Sequence, residues 1–131
     1  MMTERPAFDV DVRGTDAGTE IVVRGDMDIA SIEPLDKALD EALAEAPKAV
    51  TLDLRAVGFV DSSGLKFLLR ANARAKQGGW ALEIFRPAET AIRALAVTGV
   101  LDLLPFVDAG PTVLRSGSDD VVGAAEAERT L

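Results

Sequence analysis

The segment Asp61-Ser62-Ser63-Gly64 sets a carboxylate beside two hydroxyls and a glycine, between an apolar run and a stretch of helical spacing. Three chemistries suit such a junction. Ser62 could cap the following helix, its hydroxyl accepting from the free amide groups of the first turn. It could be a nucleophile, but a carboxylate alone activates an alcohol poorly, and no Lys or His is placed to help. It could accept a phosphoryl group. An anion at a helix start is favoured by exposed N–H groups and by the positive end of the helix dipole, so modification need not unfold the chain. Phosphate would add roughly −1.5 to −2 charge beside Asp61.

The helix after this junction carries a second candidate feature. At 100° per residue, Leu65, Leu68, Leu69 and Asn72 fall on one face and Lys66, Phe67, Arg70 and Arg74 on the other. An outward Phe among cations has the composition of a binding patch. If Phe67 were core instead, a partner would have to read Ser62 from the acidic Asp26-Asp28 side. The pairs Asp9/Asp11 and Asp26/Asp28 each project to one face of a strand, as solvated surface rather than as metal ligands.

Composition removes other routes. The 131 residues include no Cys, His or Tyr. That excludes disulfides, a thiolate nucleophile, a Cys/His zinc site and a Ser-His-Asp triad within this chain. Hydrophobic residues at 48% and charged residues at 27% describe a globular chain rather than a disordered one. No apolar run reaches the ~20 residues of a membrane span, and the first eleven residues lack a signal-peptide core. A cytoplasmic location and no membrane partner are expected. The net charge of −8 lies wholly in residues 1–47, which hold twelve acids and four bases. Net acidity disfavours direct nucleic-acid binding, which requires neutralising phosphates.

The elements that must position these residues follow from periodicity. Residues 8–13 alternate, with Phe8, Val10 and Val12 on one face, and Ile21-Val22-Val23 make a second strand ended by Gly25, so the two form a hairpin. Ser31 is the expected cap of a helix to about Ala46, with Ile32, Leu35, Leu39, Ala42, Leu43 and Ala46 as its apolar stripe. Residues 49–54 read as a buried strand, Ser63 to about Lys76 as a helix, and Trp80 to Phe85 as a strand. Pro87 to Thr98 reads as a helix stopped by Gly99. Leu103 to Val107 is a short strand at a sheet edge, as Pro105 suggests. Asp119 to Glu128 could add a last helix. The order β-β-α-β-α-β-α-β-(α) predicts an α/β fold, a small mixed sheet with helices packed on it. One domain over residues 1–131 is expected, with its core at about 8–114 and a tail at 115–131.

The run Leu52-Asp53-Leu54, Val57, Phe59-Val60-Asp61-Ser62-Ser63-Gly64-Leu65 resembles the motif of STAS-domain anti-sigma-factor antagonists. Val23-Arg24-Gly25-Asp26-Met27-Asp28 is similar to their G-(E/D)-L/M-D segment, and Ile92 to Leu101, ending Val97-Thr98-Gly99-Val100-Leu101, to their helix end. The D-S-S-G-L element is fairly specific; the other two would be weak alone. The likeness covers roughly residues 8 to 114, and Ser116 to Leu131 match nothing specific.

The resemblance implies a partner switch. The serine after the aspartate, here Ser62 with Ser63 as the secondary candidate, is phosphorylated by an anti-sigma factor that is an ATP-using serine kinase. The unphosphorylated antagonist binds that partner and frees a sigma factor; a metal-dependent serine phosphatase reverses the modification. Asp28, Asp61 and Gly64 would form the phosphosite neighbourhood. ATP and Mg²⁺ would belong to the partner, so this chain is expected to hold no cofactor, no metal and no catalytic apparatus. The alternatives are a STAS module that binds a signalling complex or a small ligand without being phosphorylated, and an enzyme with a serine nucleophile.

Overall fold

The computed structural model describes residues 7–96 and 99–108. In chain order these form β1 (Asp9–Thr15), β2 (Gly18–Met27), a 3-10 turn (Ile29–Ser31), α1 (Ile32–Leu43), β3 (Ala49–Val60) and α2 (Ser62–Gly78). Then come β4 (Ala81–Phe85), α3 (Glu89–Ala96), a second 3-10 turn (Val100–Leu103) and β5 (Phe106–Val107). The strands make one mixed sheet in the order β1-β2-β3-β4-β5. The expected β1-β2 hairpin is antiparallel; β2, β3, β4 and β5 run parallel to their neighbours. The expected final helix at Asp119 to Glu128 lies outside the described residues, as do Val97 and Thr98.

The core follows from alternation along β2 and β3. Ile21, Val23 and Met27 face Leu52, Leu54, Val57 and Val60, and beneath them lie Leu35 and Leu39 of α1 and Phe67, Leu68 and Ala71 of α2. Burial on β3 does not keep a strict period of two: after Leu52 and Leu54 the buried apolar positions are Val57 and Val60. The strand register supplies the reason. Val22 pairs with Asp53 but Arg24 with Ala56, and Gly25 pairs with Val57 but Asp26 with Phe59. Each step inserts one extra residue in β3, and each extra residue resets which side chains point inward.

Asp53 pins the first irregularity. Its Oδ1 accepts from the Arg55 amide at 3.1 Å and from Arg55 Nε at 2.9 Å, while Oδ2 accepts from the guanidinium at 2.8 Å. Arg55 also lies over the Phe85 ring, 4.9 Å from its centre. Burial of Asp53 works against its charge, but the hydrogen bonds and positive charge of Arg55 outweigh that and hold its carboxyl below the usual value.

Several boundaries differ from expectation. Gly25 does not end β2. It sits at φ 95° inside the strand, and a Cβ there would come within 2.9 Å of Phe8 Cα. Its job is close approach of the chain's own backbone, not termination. The apolar stripe of α1 stops at Leu43; Ala46 is exposed at φ 50°, because Pro47 disfavours helical geometry in the residue before it. The α2 helix runs on to Gly78 and ends on Gly79 at φ 75°. Leu103 belongs to a 3-10 turn rather than to β5, whose two residues lie at the expected sheet edge.

Candidate functional site

The parallel strands β2 and β3 end side by side. Met27 pairs with Val60, and the Asp61 N–H donates to the Met27 carbonyl at 3.1 Å. The two acids that follow, Asp28 and Asp61, therefore leave neighbouring strand ends at the carboxyl edge of the sheet. Each caps a helical turn. Asp61 Oδ1 accepts from Ser63 N–H at 2.7 Å and Gly64 N–H at 3.1 Å. Asp28 Oδ1 accepts from Ala30 N–H at 3.1 Å, and the Asp28 N–H donates to Ser31 Oγ at 2.9 Å.

These contacts correct two assignments. The N-cap of α2 is Asp61, not Ser62; Ser62 is the first residue of the helix, and its side chain is exposed. Asp outcompetes Ser because an ionised carboxylate accepts more strongly and here reaches two amides. Ser31 precedes α1 but makes no side-chain bond to it; its hydroxyl is turned back into a capping box with Asp28.

Gly64 explains how α2 can begin so close to β2. A Cβ at this position would sit 2.8 Å from the Met27 carbonyl oxygen, 2.9 Å from Met27 Cβ and 3.0 Å from Val60 Cγ1. Only glycine lets the first turn of α2 rest on the end of β2, and that contact fixes Ser62 relative to Asp28.

Phe67 does not project outward. It is 1% exposed and is among the largest fully buried side chains. The buried positions of α2 are Gly64, Leu65, Phe67, Leu68, Ala71 and Ala75. At 100° per residue this arc is rotated by roughly 80° from the face expected from Leu65, Leu68, Leu69 and Asn72. The buried arc takes in the small residues Gly64, Ala71 and Ala75, which a stripe drawn through leucines omits, and Phe67 joins Leu35 and Leu39 of α1 in the core. Arg70 and Arg74 remain exposed but are engaged, with Asp36 at 3.2 Å and Asp40 at 3.1 Å. Lys66 is exposed on the same helix. The expected cationic patch thus divides into a core aromatic, two cations clamped to α1 and one lysine.

Two large apolar side chains that helical spacing could not nominate are exposed in the segments that reach the same strand ends. Ile29 is 75% exposed and Phe59 46%. Ile29 lies in the 3-10 turn that Asp28 caps, and Phe59 pairs in register with Asp26 one step before the strand ends. Phe59 stood in the run Phe59-Val60-Asp61-Ser62-Ser63-Gly64-Leu65, but a strict period of two cannot tell which of Phe59 and Val60 faces out once β3 bulges at Gly58.

The family model described as "Mlab, STAS domain" matches residues 10–105. Three solved structures share the fold. An anti-sigma factor antagonist from Mycobacterium paratuberculosis is 24% identical over 86% of this chain and 96% of its own, with a TM-score of 0.66. The anti-sigma factor antagonist SpoIIAA in its unphosphorylated form is 18% identical over 86% of this chain and 100% of its own, with a TM-score of 0.63. A Thermotoga maritima protein is 18% identical over 81% and 92%, with a TM-score of 0.68. A search of curated protein sequences finds no match. With its mixed sheet, its helix start on Asp61 and the family model spanning most of the described residues, the chain belongs to the STAS domain family.

Proposed function

We propose that this chain is an anti-sigma-factor antagonist whose docking surface is switched by phosphorylation of Ser62. The observation that carries this reading is the placement of Ser62. It is exposed at the first position of α2, at the end of the sheet where Asp28 and Asp61 leave paired strands, and Ile29 and Phe59, in the segments flanking those strand ends, are exposed as well. A kinase can reach the hydroxyl, and a phosphate there lies within the surface a partner would cover. In the transfer, a bond forms between Ser62 Oγ and the γ-phosphorus of ATP, ADP leaves, and the hydroxyl proton passes to a base of the kinase. Asp61 Oδ1 is committed to the amides of Ser63 and Gly64, so the base is assigned to the kinase.

The proposed partners are an anti-sigma factor with serine kinase activity and a phosphatase that restores the free serine. ATP and its metal are the kinase's, and this chain acts by binding rather than by catalysis. Both the proposed partners and a cytoplasmic location fit a chain in which no helix among the described residues is long and apolar enough to cross a membrane.

Intact-mass analysis of the protein from its native cell, with and without phosphatase treatment, tests the reading. One phosphate, absent in Ser62→Ala and retained in Ser63→Ala, is expected. A phosphate that follows Ser63 instead reassigns the site. If Ser62→Asp binds the partner as well as the wild type, the chain is a docking module that phosphorylation does not control.

A further inference from the structure

Asp61 changes what a phosphate on Ser62 can bind. Of the first-turn amides that ordinarily receive an anion at a helix start, the Asp61 carboxylate already accepts those of Ser63 and Gly64, at 2.7 and 3.1 Å. A phosphate competing for them would have to displace a carboxylate that is covalently positioned to cap. It would also face that carboxylate, and Asp28 at the adjoining strand end, as like charges. The cation placed to offset this is Lys66. It stands four residues after Ser62 on the same helix, where side chains are neighbours with Cβ atoms about 6 Å apart. It is exposed and makes no ion pair with a described residue, whereas Arg70 and Arg74, further along α2, are held by Asp36 and Asp40.

Resting on the reading of Ser62 as the phosphorylated residue, we infer that Lys66 is the intramolecular partner of the phosphoryl group. The phosphate folds along α2 onto the Lys66 ammonium and leaves the Asp61 cap intact. Lys66 then acts as a positioning residue. It sets the orientation of the phosphate on the docking surface and favours its dianionic form against Asp28 and Asp61.

The test uses the full chain with phosphoserine installed at position 62, so that it does not depend on whether a cell modifies that residue. ³¹P NMR titration reads the second ionisation of the phosphate in the wild-type background, in Lys66→Gln and in Lys66→Arg. Lys66→Gln is expected to raise that pKa by about 0.3 unit or more, and Lys66→Arg to leave it near the wild-type value. Amide shifts of Ser63 and Gly64 are expected to match those of the unmodified protein. Equal phosphate pKa values in wild type and Lys66→Gln would overturn the inference. So would large downfield shifts of the Ser63 and Gly64 amides, which would place the phosphate on the cap in place of Asp61. Failure of the phosphorylation reading is seen separately, as native protein that never carries a phosphate on Ser62.

Discussion

Gly64 and Phe67 are three residues apart on α2, and each now has a role that its residue type alone did not announce. Gly64 sits where a methyl group would meet backbone. Gly64→Ala gains helix propensity of about 1 kcal/mol but overpacks against Met27, and overpacking costs about 1–3 kcal/mol. A net loss of about 1 kcal/mol in chemical denaturation is expected, together with weaker partner binding because Ser62 shifts relative to Asp28. Phe67→Ala empties a fully buried site and should cost about 3–5 kcal/mol in the same measurement. Phe59→Ala makes the contrast. With an exposed ring it should change stability by no more than about 0.5 kcal/mol, yet weaken partner binding by about 1 kcal/mol or more in calorimetry. If Phe59→Ala binds normally, the partner approaches Ser62 from another side.

At the scale of elements, strand and helix order was readable because the hydrophobic periods are strong: β1 alternates, α1 carries a clean stripe, and residues 49–54 mark a buried strand, although β3 continues six residues further to Val60. The phase of α2 was not readable, because its buried arc includes Gly64, Ala71 and Ala75, which a stripe drawn through leucines ignores. Nor was the outward face of β3 past Leu54, since bulges are properties of the pairing between two strands. The cap was misassigned for a local reason, as Asp and Ser stand adjacent and only the chain path decides which one reaches the amides. The place of Ser62 at a strand-to-helix junction did not depend on any of these, because it is set only by where β3 gives way to α2. The first bulge of β3 yields its own prediction. The Asp53 carboxyl is held below its ordinary value by Arg55, so its contribution to stability is present above the unfolded value of about 4 and is lost as pH falls through the lower folded value. Asp53→Asn should destabilise by about 1–2 kcal/mol at pH 7, and the gap from wild type should close as the pH is lowered towards 3. A gap that is constant with pH would mean that the charge of Asp53 is irrelevant and only its hydrogen bonds matter.

Charge at the scale of the whole molecule constrains how the switch can work. The net −8 arises in residues 1–47, and part of that excess is structural, since Asp36 and Asp40 of α1 hold Arg70 and Arg74 of α2. Asp28 and Asp61 remain at the edge proposed for docking, so the surface that a partner would accept in the unmodified state is already negative. Adding a phosphate of roughly −1.5 to −2 charge therefore does not reverse the sign of the molecule's field. A partner suited to the unmodified surface should, at long range, be attracted no less to the modified one. In the proposed switch, loss of binding is then local: a dianion on Ser62, even paired with Lys66, has to be stripped of water when the partner closes, and that cost is not repaid by apolar contacts. Long-range repulsion and local desolvation respond differently to salt. Repulsion between surfaces is screened as the Debye length falls from about 10 Å at 0.1 M towards 3 Å at 1 M, whereas the cost of burying the phosphate persists. Binding of the Ser62-phosphorylated chain, measured by titration calorimetry from 0.05 to about 0.5 M salt, should stay weak throughout, while the unmodified chain binds more weakly as salt rises. Recovery of phosphoprotein binding at high salt would show that the switch acts by surface repulsion, and would move its origin from the Ser62 contact to the charge of the whole face.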